Sequence, residues 1–289
     1  MVETAQCSKI HRETRANVDP ANSSDVSARK KALLLGRMLG LSSEKDYQAS
    51  TASIDDRAHQ RRQLQRRQYQ ENIETIYKIA LSQTPSDITG IDLDVDWAHQ
   101  FFQLAEQIHN RKMQELWGRI LASEITTPGH FSLRTLATLK QLTHKEAQML
   151  EKALAMSVRV NDENKFKLII GFKHASSLGH LFKKNAQTNI GLSQFGLPYS
   201  CILTLIEAGI LHRSELETGL LSNKKAISFS LSNIKLKLTP KSGQLFFNYY
   251  RFTSTGDELA QLLQFNTDGN YIKALKAIFA HDFKIESAS

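Results

Sequence analysis

The chain has 289 residues and a mass of 32.7 kDa, near the upper size of a single hydrophobic core, which favours two modest domains or one domain with long arms. Apolar residues make up 41% of the chain and charged residues 23%, so collagen-like, low-complexity and disulfide-scaffold proteins are excluded. The formal net charge of +8 permits an anionic partner without requiring one.

Residues 1–52 are predicted to form a polar, disordered tail, because Ser, Asn, Asp and Thr are frequent there and no apolar period is sustained. Within this tail, the run ALLLGRMLGL after Lys30 and Lys31 predicts a short amphipathic helix. We expect this helix to dock on the main body of the protein. A foot that lies on a membrane surface is the alternative.

Residues 53–157 are predicted to form a helical domain. Ser53 followed by Asp55 and Asp56 indicates a helix start, where a side-chain oxygen and negative charge satisfy the unpaired backbone N–H groups. The helix is expected to reach about Leu81, but only its second half carries apolar residues at three- and four-residue steps. Its first half is therefore predicted to be exposed or bound to a partner.

Within that first half, residues 57–67 contain five arginines and no acid. They are Arg57, Arg61, Arg62, Arg66 and Arg67, together called the arginine surface. The first four are predicted to share a cationic stripe that suits phosphates, because each guanidinium can direct two donors onto oxygen. The alternative is a solvated helix whose arginines pair with acids such as Asp92–Asp96. No aromatic residue interrupts the arginines before Tyr69, which disfavours stacking on single-stranded bases.

Capping residues mark three further helix starts in this domain. They are Asp94 or Asp96, then Ser132, then Thr143 with Glu146 at capping-box spacing. Around Arg111 the apolar stripe changes phase, which predicts a kinked helix or one buried on more than one side.

The most distinctive segment of the chain is MQELWGRILASEITTPGHFSLRTLATLKQLTHKEA. It is similar to the signature of an uncharacterised bacterial family of unknown function, with a pattern Q-x-L-W-x-x-I-L-A-x-E followed by P-G-x-F-S-x-R-T-L. The residues of interest are Trp117, Glu124, Pro128, Gly129, Ser132 and Arg134. The resemblance implies a fold and no catalytic residue. A similar Leu-Trp-x-x-Leu-Leu-Ala helix in bacterial abortive-infection proteins implies a role in phage defence.

The chemistry of these residues favours a structural role. Trp117 is expected to anchor a core, and Glu124 to bond Arg134 or the backbone N–H groups after Ser132 across the Pro-Gly turn. The alternative treats Glu124 and Arg134 as the acid and the electrostatic clamp of a catalytic site. That alternative lacks a nucleophile or metal ligand in the sequence.

Residues 158–289 change to strand-like alternation. A strand is predicted from Phe166 to Ile170, and the runs 227–231, 234–238 and LFFNYYRF predict two or three strands of an antiparallel ribbon. The order of FGLPYSCILTLIEAGIL, ribbon and FTSTGDELAQLL resembles a winged helix-turn-helix. A DNA-reading helix needs polar side chains for base edges, yet residues 198–208 contain no Arg, Lys, Asn or Gln, which favours contacts with protein or a purely structural role.

Sequence patterns of enzymes are absent from the chain. It has no phosphate-binding glycine loop, nucleophile elbow or zincin histidine pair, so no catalytic, cofactor or metal residue is predicted and the protein is expected not to be an enzyme. The cysteines Cys7 and Cys201 lie far apart, and no apolar stretch is long enough for a signal peptide or a transmembrane segment. A cytoplasmic location is predicted.

The predicted fold is mainly α, of the α+β class, with a helical bundle followed by a winged-helix-like module that carries a small antiparallel β-ribbon. The first functional hypothesis is a binding protein that contacts a protein partner or associates with itself. The alternative is a nucleic-acid-binding regulator or phage-defence effector that binds DNA or RNA weakly through the arginine surface.

Overall fold

The computed structural model describes residues 20–39, 41, 52–85, 90, 92–161, 163–175, 187–232 and 234–288. The chain divides into two compact units, Met1–Thr75 and Ile76–Ser289. Most of the predicted tail, residues 1–19 and 42–51, lies outside the described residues. The domain boundary predicted near residue 157 falls within the second unit. It lies between the helix His144–Ala155 and the strand Val158–Val160.

Nine α-helices and eight strands are present in the described residues. The helices are α1 (Pro20–Met38), α2 (Ile54–Gln83), α3 (Val95–Ala105), α4 (Arg111–Thr126), α5 (Leu133–Gln141), α6 (His144–Ala155), α7 (Tyr199–Glu207), α8 (Ser254–Ala260) and α9 (Gly269–Phe279). The strands are β1 (Val158–Val160), β2 (Phe166–His174), β3 (Gln187–Asn189), β4 (Leu216–Glu217), β5 (Ile227–Leu231), β6 (Ile234–Pro240), β7 (Leu245–Arg251) and β8 (Phe283–Ala288).

In the first unit, the side chains that the structure describes on its helices form no buried apolar face. Its α1 is longer than the predicted helix, and it begins at Pro20, whose fixed φ suits a first turn. The predicted start of α2 is confirmed, since the hydroxyl of Ser53 accepts the N–H of Asp56 at 3.1 Å. Among the side chains described between residues 28 and 75, only Asn72 is buried. Packing therefore contributes little to the stability of this helical segment.

Two tryptophans organise the bundle of the second unit. Asp94 caps α3 as predicted, and its carboxylate accepts two N–H groups of the first turn at 2.8 and 3.1 Å. Of the two alternatives predicted around Arg111, the kink is wrong, because Asn110 caps a separate helix, α4, and the buried residues of α4 lie on more than one of its sides. The ring of Phe101 lies 5.1 Å from that of Trp97 and 5.2 Å from that of Trp117, so the two helices share one aromatic core.

The predicted caps of α5 and α6 are also present. Ser132 accepts the N–H of Thr135 at 3.3 Å. Thr143 and Glu146 form a complete capping box, in which the hydroxyl of Thr143 accepts the N–H of Glu146 and the carboxylate returns a bond. Hydrogen bonds from the Thr143 hydroxyl and then from its N–H hold the pKa of Glu146 below its ordinary value.

All eight strands belong to one antiparallel sheet, in the order β4-β7-β2-β1-β5-β6-β8, with β3 paired to β2. The α+β class is confirmed, and so is the β5–β6 hairpin, with Ile227 opposite Leu238. The assignment of LFFNYYRF to the same ribbon is wrong, because β7 pairs along β2 and not with β6. Buried side chains lie on both faces of β7, as is typical of a strand in the interior of a sheet.

Five phenylalanines form the core between α9 and the sheet. They are Phe172, Phe229, Phe247, Phe279 and Phe283, with ring centroids 5.2 to 6.2 Å apart in the contacting pairs. Each is at most 1% exposed. Because they come from three strands, from α9 and from β8, this cluster fixes the C-terminal helix and strand against the sheet.

Two glycine-to-alanine substitutions test the packing around α8. A Cβ on Gly256 would clash with the backbone oxygen of Ile210, whereas a Cβ on Gly269 would meet no atom within 4 Å. We expect Gly256→Ala to lower the free energy of unfolding by about 1–3 kcal/mol. Gly269→Ala, at the first position of α9, is expected to raise it by up to about 1 kcal/mol. Urea denaturation of both variants measures this difference, and equal midpoints would contradict the close approach.

Candidate binding surface and signature turn

All five residues of the arginine surface are exposed on α2. At 3.6 residues per turn, Arg57, Arg61, Arg62 and Arg66 span about half of the helix circumference, and Arg67 lies on the other side. The surface is therefore broader than the predicted stripe. It lies on a segment from residue 57 to 70 that contains no Asp or Glu.

The arginines repel one another in the free protein. Arg57 with Arg61, and Arg62 with Arg66, are neighbours four residues apart on the helix, and each such like-charge pair costs about 0.2–0.5 kcal/mol. None of the ion pairs in the described part of the chain includes any of the five. An anion placed between these guanidinium groups would replace repulsion with attraction.

Neutral side chains support the helix where acids are absent. Four glutamines each bond to a side chain four residues away along α2. The pairs are Gln63 with His59 (2.9 Å), Gln65 with Tyr69 (2.6 Å), Gln68 with Asn72 (3.2 Å) and Gln70 with Glu74 (2.9 Å). The helix thus has internal bonds that leave the positive charge of the arginine surface unopposed.

The signature segment forms a turn between α4 and α5 that is held by a buried carboxylate. Glu124 is 2% exposed, and its two oxygens accept the N–H groups of Gly129 and Phe131. Gly129 has a φ of +89°, in the left-handed region that favours glycine, directly after the half-buried Pro128. Both partners expected for Glu124 are wrong, because Arg134 is exposed and the N–H groups that Glu124 accepts come before Ser132, within the turn itself.

The same turn contacts the aromatic core around Trp97 and Trp117, and it also contacts the C-terminal part of the chain. The carbonyl of Phe131 accepts the indole N–H of Trp97 at 2.7 Å, while Trp117 is fully buried as expected. The N–H of Ser132 donates to the carboxylate of Glu258 at 2.7 Å. The second contact joins residues 126 positions apart, and no sequence pattern predicted it.

Other residues near Glu258 anchor α8 in the same way. The hydroxyl of Thr253 donates to the carbonyl of Gly209 at 2.7 Å and accepts the N–H of Gly256 at 3.1 Å. The carboxylate of Asp257 accepts the N–H of Phe166 and lies 3.1 Å from the ammonium of Lys165. The phrase FTSTGDEL, which carried part of the winged-helix resemblance, thus makes structural contacts here.

Within the described residues, no group of three or more His, Cys, Asp and Glu side chains could hold a metal ion. A cavity of about 430 Å³ is lined by Gln148, Glu151, Lys152, Ala155, Phe265 and Asn266. None of these residues belongs to the arginine surface or to the signature turn. No described helix is long and apolar enough to span a bilayer.

Comparisons with known proteins give a family and no activity. The model of a family described as a protein of unknown function, DUF2806, matches residues 56–276. This range includes both the arginine surface and the signature turn. No curated protein matches the chain, and no solved structure matches it. The expected membership of a family of unknown function is confirmed.

A substitution of Glu124 tests the structural role of the signature turn. In Glu124→Gln an NH₂ group replaces one of the two accepting oxygens, so either Gly129 or Phe131 loses its acceptor. We expect the free energy of unfolding to fall by about 1–3 kcal/mol. Glu115→Gln is the matched control on α4, because its side chain is 54% exposed, and it should change stability by less than about 0.5 kcal/mol. Equal urea midpoints for the two variants would contradict the role assigned to Glu124.

Proposed function

The chain belongs to the DUF2806 family, and we propose that it is a binding protein whose arginine surface holds the phosphate backbone of a nucleic acid duplex. One observation carries this proposal: five exposed arginines lie on one helix, without an acid from residue 57 to 70 and without an ion pair among the described residues. Guanidinium groups form bidentate hydrogen bonds with phosphate, and they displace the counterions condensed on a nucleic acid.

The exposure of the helix supports a partner of some kind. Between residues 28 and 75, no described apolar side chain is buried, and Ile54 and Leu64 are 72% and 45% exposed. Helices in proteins gain most of their stability by packing an apolar face. A segment that lacks such packing and repels itself electrostatically gains stability when an anionic surface lies against it.

The composition of the surface favours a duplex over a single strand. Binding of single strands without sequence preference relies on aromatic side chains that stack on bases. The first aromatic residue of α2 is Tyr69, whose hydroxyl already accepts a bond from Gln65 at 2.6 Å. Phosphate contacts alone position a protein without reading sequence, so sequence-independent binding is proposed.

A contact with another protein through α7 is the second candidate. In this helix, Tyr199 and Leu203 are 61% and 42% exposed and lie four residues apart, next to the exposed Ser200 and Glu207. An apolar pair beside an acid suits a protein surface better than it suits DNA. In this candidate, α7 is the outward-facing helix of a winged-helix-like module. A role in phage defence and a cytoplasmic location are proposed with it.

A salt series with labelled duplex DNA tests the first candidate. Four or five phosphate contacts predict that log affinity falls with log salt at a slope of about −4, because each phosphate contributes about −0.9. In the triple variant Arg61→Glu, Arg62→Glu, Arg66→Glu we expect a slope close to −1 and an affinity lower by at least about a hundredfold at low salt. Single-stranded RNA of equal length should bind more weakly.

A charge-matched variant provides the control. Lys112, Lys145 and Lys273 are exposed on three helices of the second unit, and their replacement by Glu changes the net charge by the same amount. We expect this control to keep most of the slope and affinity. If both triple variants weaken binding equally, the basic charge of the whole chain is responsible. If the unaltered protein fails to bind at low salt, nucleic acid is not its partner and the α7 candidate takes precedence.

A further inference from the structure

We propose that β8 is a self-complementary sheet edge, through which two copies of this chain pair antiparallel about Ile285. In the described residues, β8 is the last strand of the sheet and pairs with β6 alone. An unpaired edge exposes N–H and C=O groups to which another strand can bond. The occupant is inferred from three properties of β8: the direction of its backbone groups, the order of its charges and the continuity of its apolar side.

The register with β6 determines which backbone groups of β8 point outward. In an antiparallel pair, hydrogen-bonded residue pairs alternate with non-bonded ones. The N–H of Lys241 donates to the carbonyl of Asp282 at 2.9 Å, so this pair is hydrogen-bonded. Two and four residues further along, Lys284 and Glu286 therefore direct their backbone groups toward β6.

The remaining residues of β8 direct their backbone groups away from the sheet. These residues are Phe283, Ile285 and Ser287. The position of Pro240 agrees with this parity, since it lies opposite Phe283 in a non-bonded pair, where a missing N–H has no cost. Antiparallel pairing of two copies about Ile285 brings each Phe283 opposite a Ser287 and each Ile285 opposite its equivalent. All of these would be hydrogen-bonded pairs.

The charges of β8 are complementary under the same symmetry. Lys284 and Glu286 are exposed, lie on the face of the sheet opposite α9 and form an ion pair with each other at 2.8 Å in the single chain. In the paired strands, each Lys284 would lie opposite Glu286 of the second copy, at non-bonded positions where side chains approach most closely. An exposed lysine on an edge strand usually discourages pairing with another strand. In the proposed pair, Lys284 of each copy would instead lie opposite an acid, Glu286 of the other copy.

The apolar side of β8 also continues across the proposed interface. Ile285 is half-buried and packs against the core, on the same side as the buried Phe283. In the pair of copies, the two Ile285 side chains would be neighbours at the twofold axis. Main chain, charge and apolar surface therefore all satisfy one register, as an isologous interface requires.

Two single charge reversals in the full chain test this register. Lys284→Glu would place two acids opposite two acids, and Glu286→Lys would place lysines opposite lysines. We expect each variant to weaken self-association by about ten- to thirtyfold in sedimentation across a concentration series. Because the two substitutions shift the net charge in opposite directions, a general charge effect could not weaken both.

Mixing separates a lost interface from a damaged fold. The chain with Lys284→Glu carries two acids and the chain with Glu286→Lys carries two lysines, so a one-to-one mixture should recover association, as heterodimers, to nearly the unaltered level. The double variant Lys284→Glu, Glu286→Lys should associate with itself like the unaltered chain. The proposal is overturned if the unaltered chain stays monomeric up to near-millimolar concentration, if either single variant associates normally, or if the mixture does not recover.

Discussion

The backbone of the turn between α4 and α5 needs acceptors that the turn itself does not supply. Its N–H groups at Gly129, Phe131 and Ser132 donate to two carboxylates, one from α4 and one from α8. The bond from the N–H of Phe131 to Glu124 is buried, and a buried donor that loses its partner costs about 1–3 kcal/mol, so the turn constrains Glu124 at the end of α4. The exposed bond from the N–H of Ser132 to Glu258 links the start of α5 to α8.

This constraint gives the signature residues a structural role. They hold a turn and a core, and beside them Nδ1 of the exposed His130 lies 3.1 Å from the hydroxyl of Ser123. Further exposed groups available to a partner lie on the first half of α2 and on the outer face of α7. The family match begins at residue 56 and so covers the arginine surface as well as the turn.

Local signals predicted the fold best. Ser53, Asp94 and the Thr143–Glu146 box bond backbone groups within three residues, so the sequence alone reveals them. The link from Ser132 to Glu258 spans 126 positions and depends on tertiary packing, which no local pattern records. For the same reason the sequence does not predict that β7 pairs with β2. Apolar side chains on both faces of a strand indicate that it is buried, but they do not indicate which strand lies beside it. The alternation Phe-Lys-Ile-Glu in β8 is typical of a strand, although it is short and follows closely after the helical pattern of α9.

The lack of a buried apolar face along the described first half of α2 affects how long the chain stays intact. Helix with few tertiary contacts opens by local unfolding at little cost, and proteases cut backbone that has opened. Trypsin-like proteases cleave after arginine. Each arginine proposed to bind phosphate would therefore also be a cleavage site whenever the helix opens without a bound partner. A bound partner would keep the helix closed, and the lifetime of the protein would then report how often that partner is present.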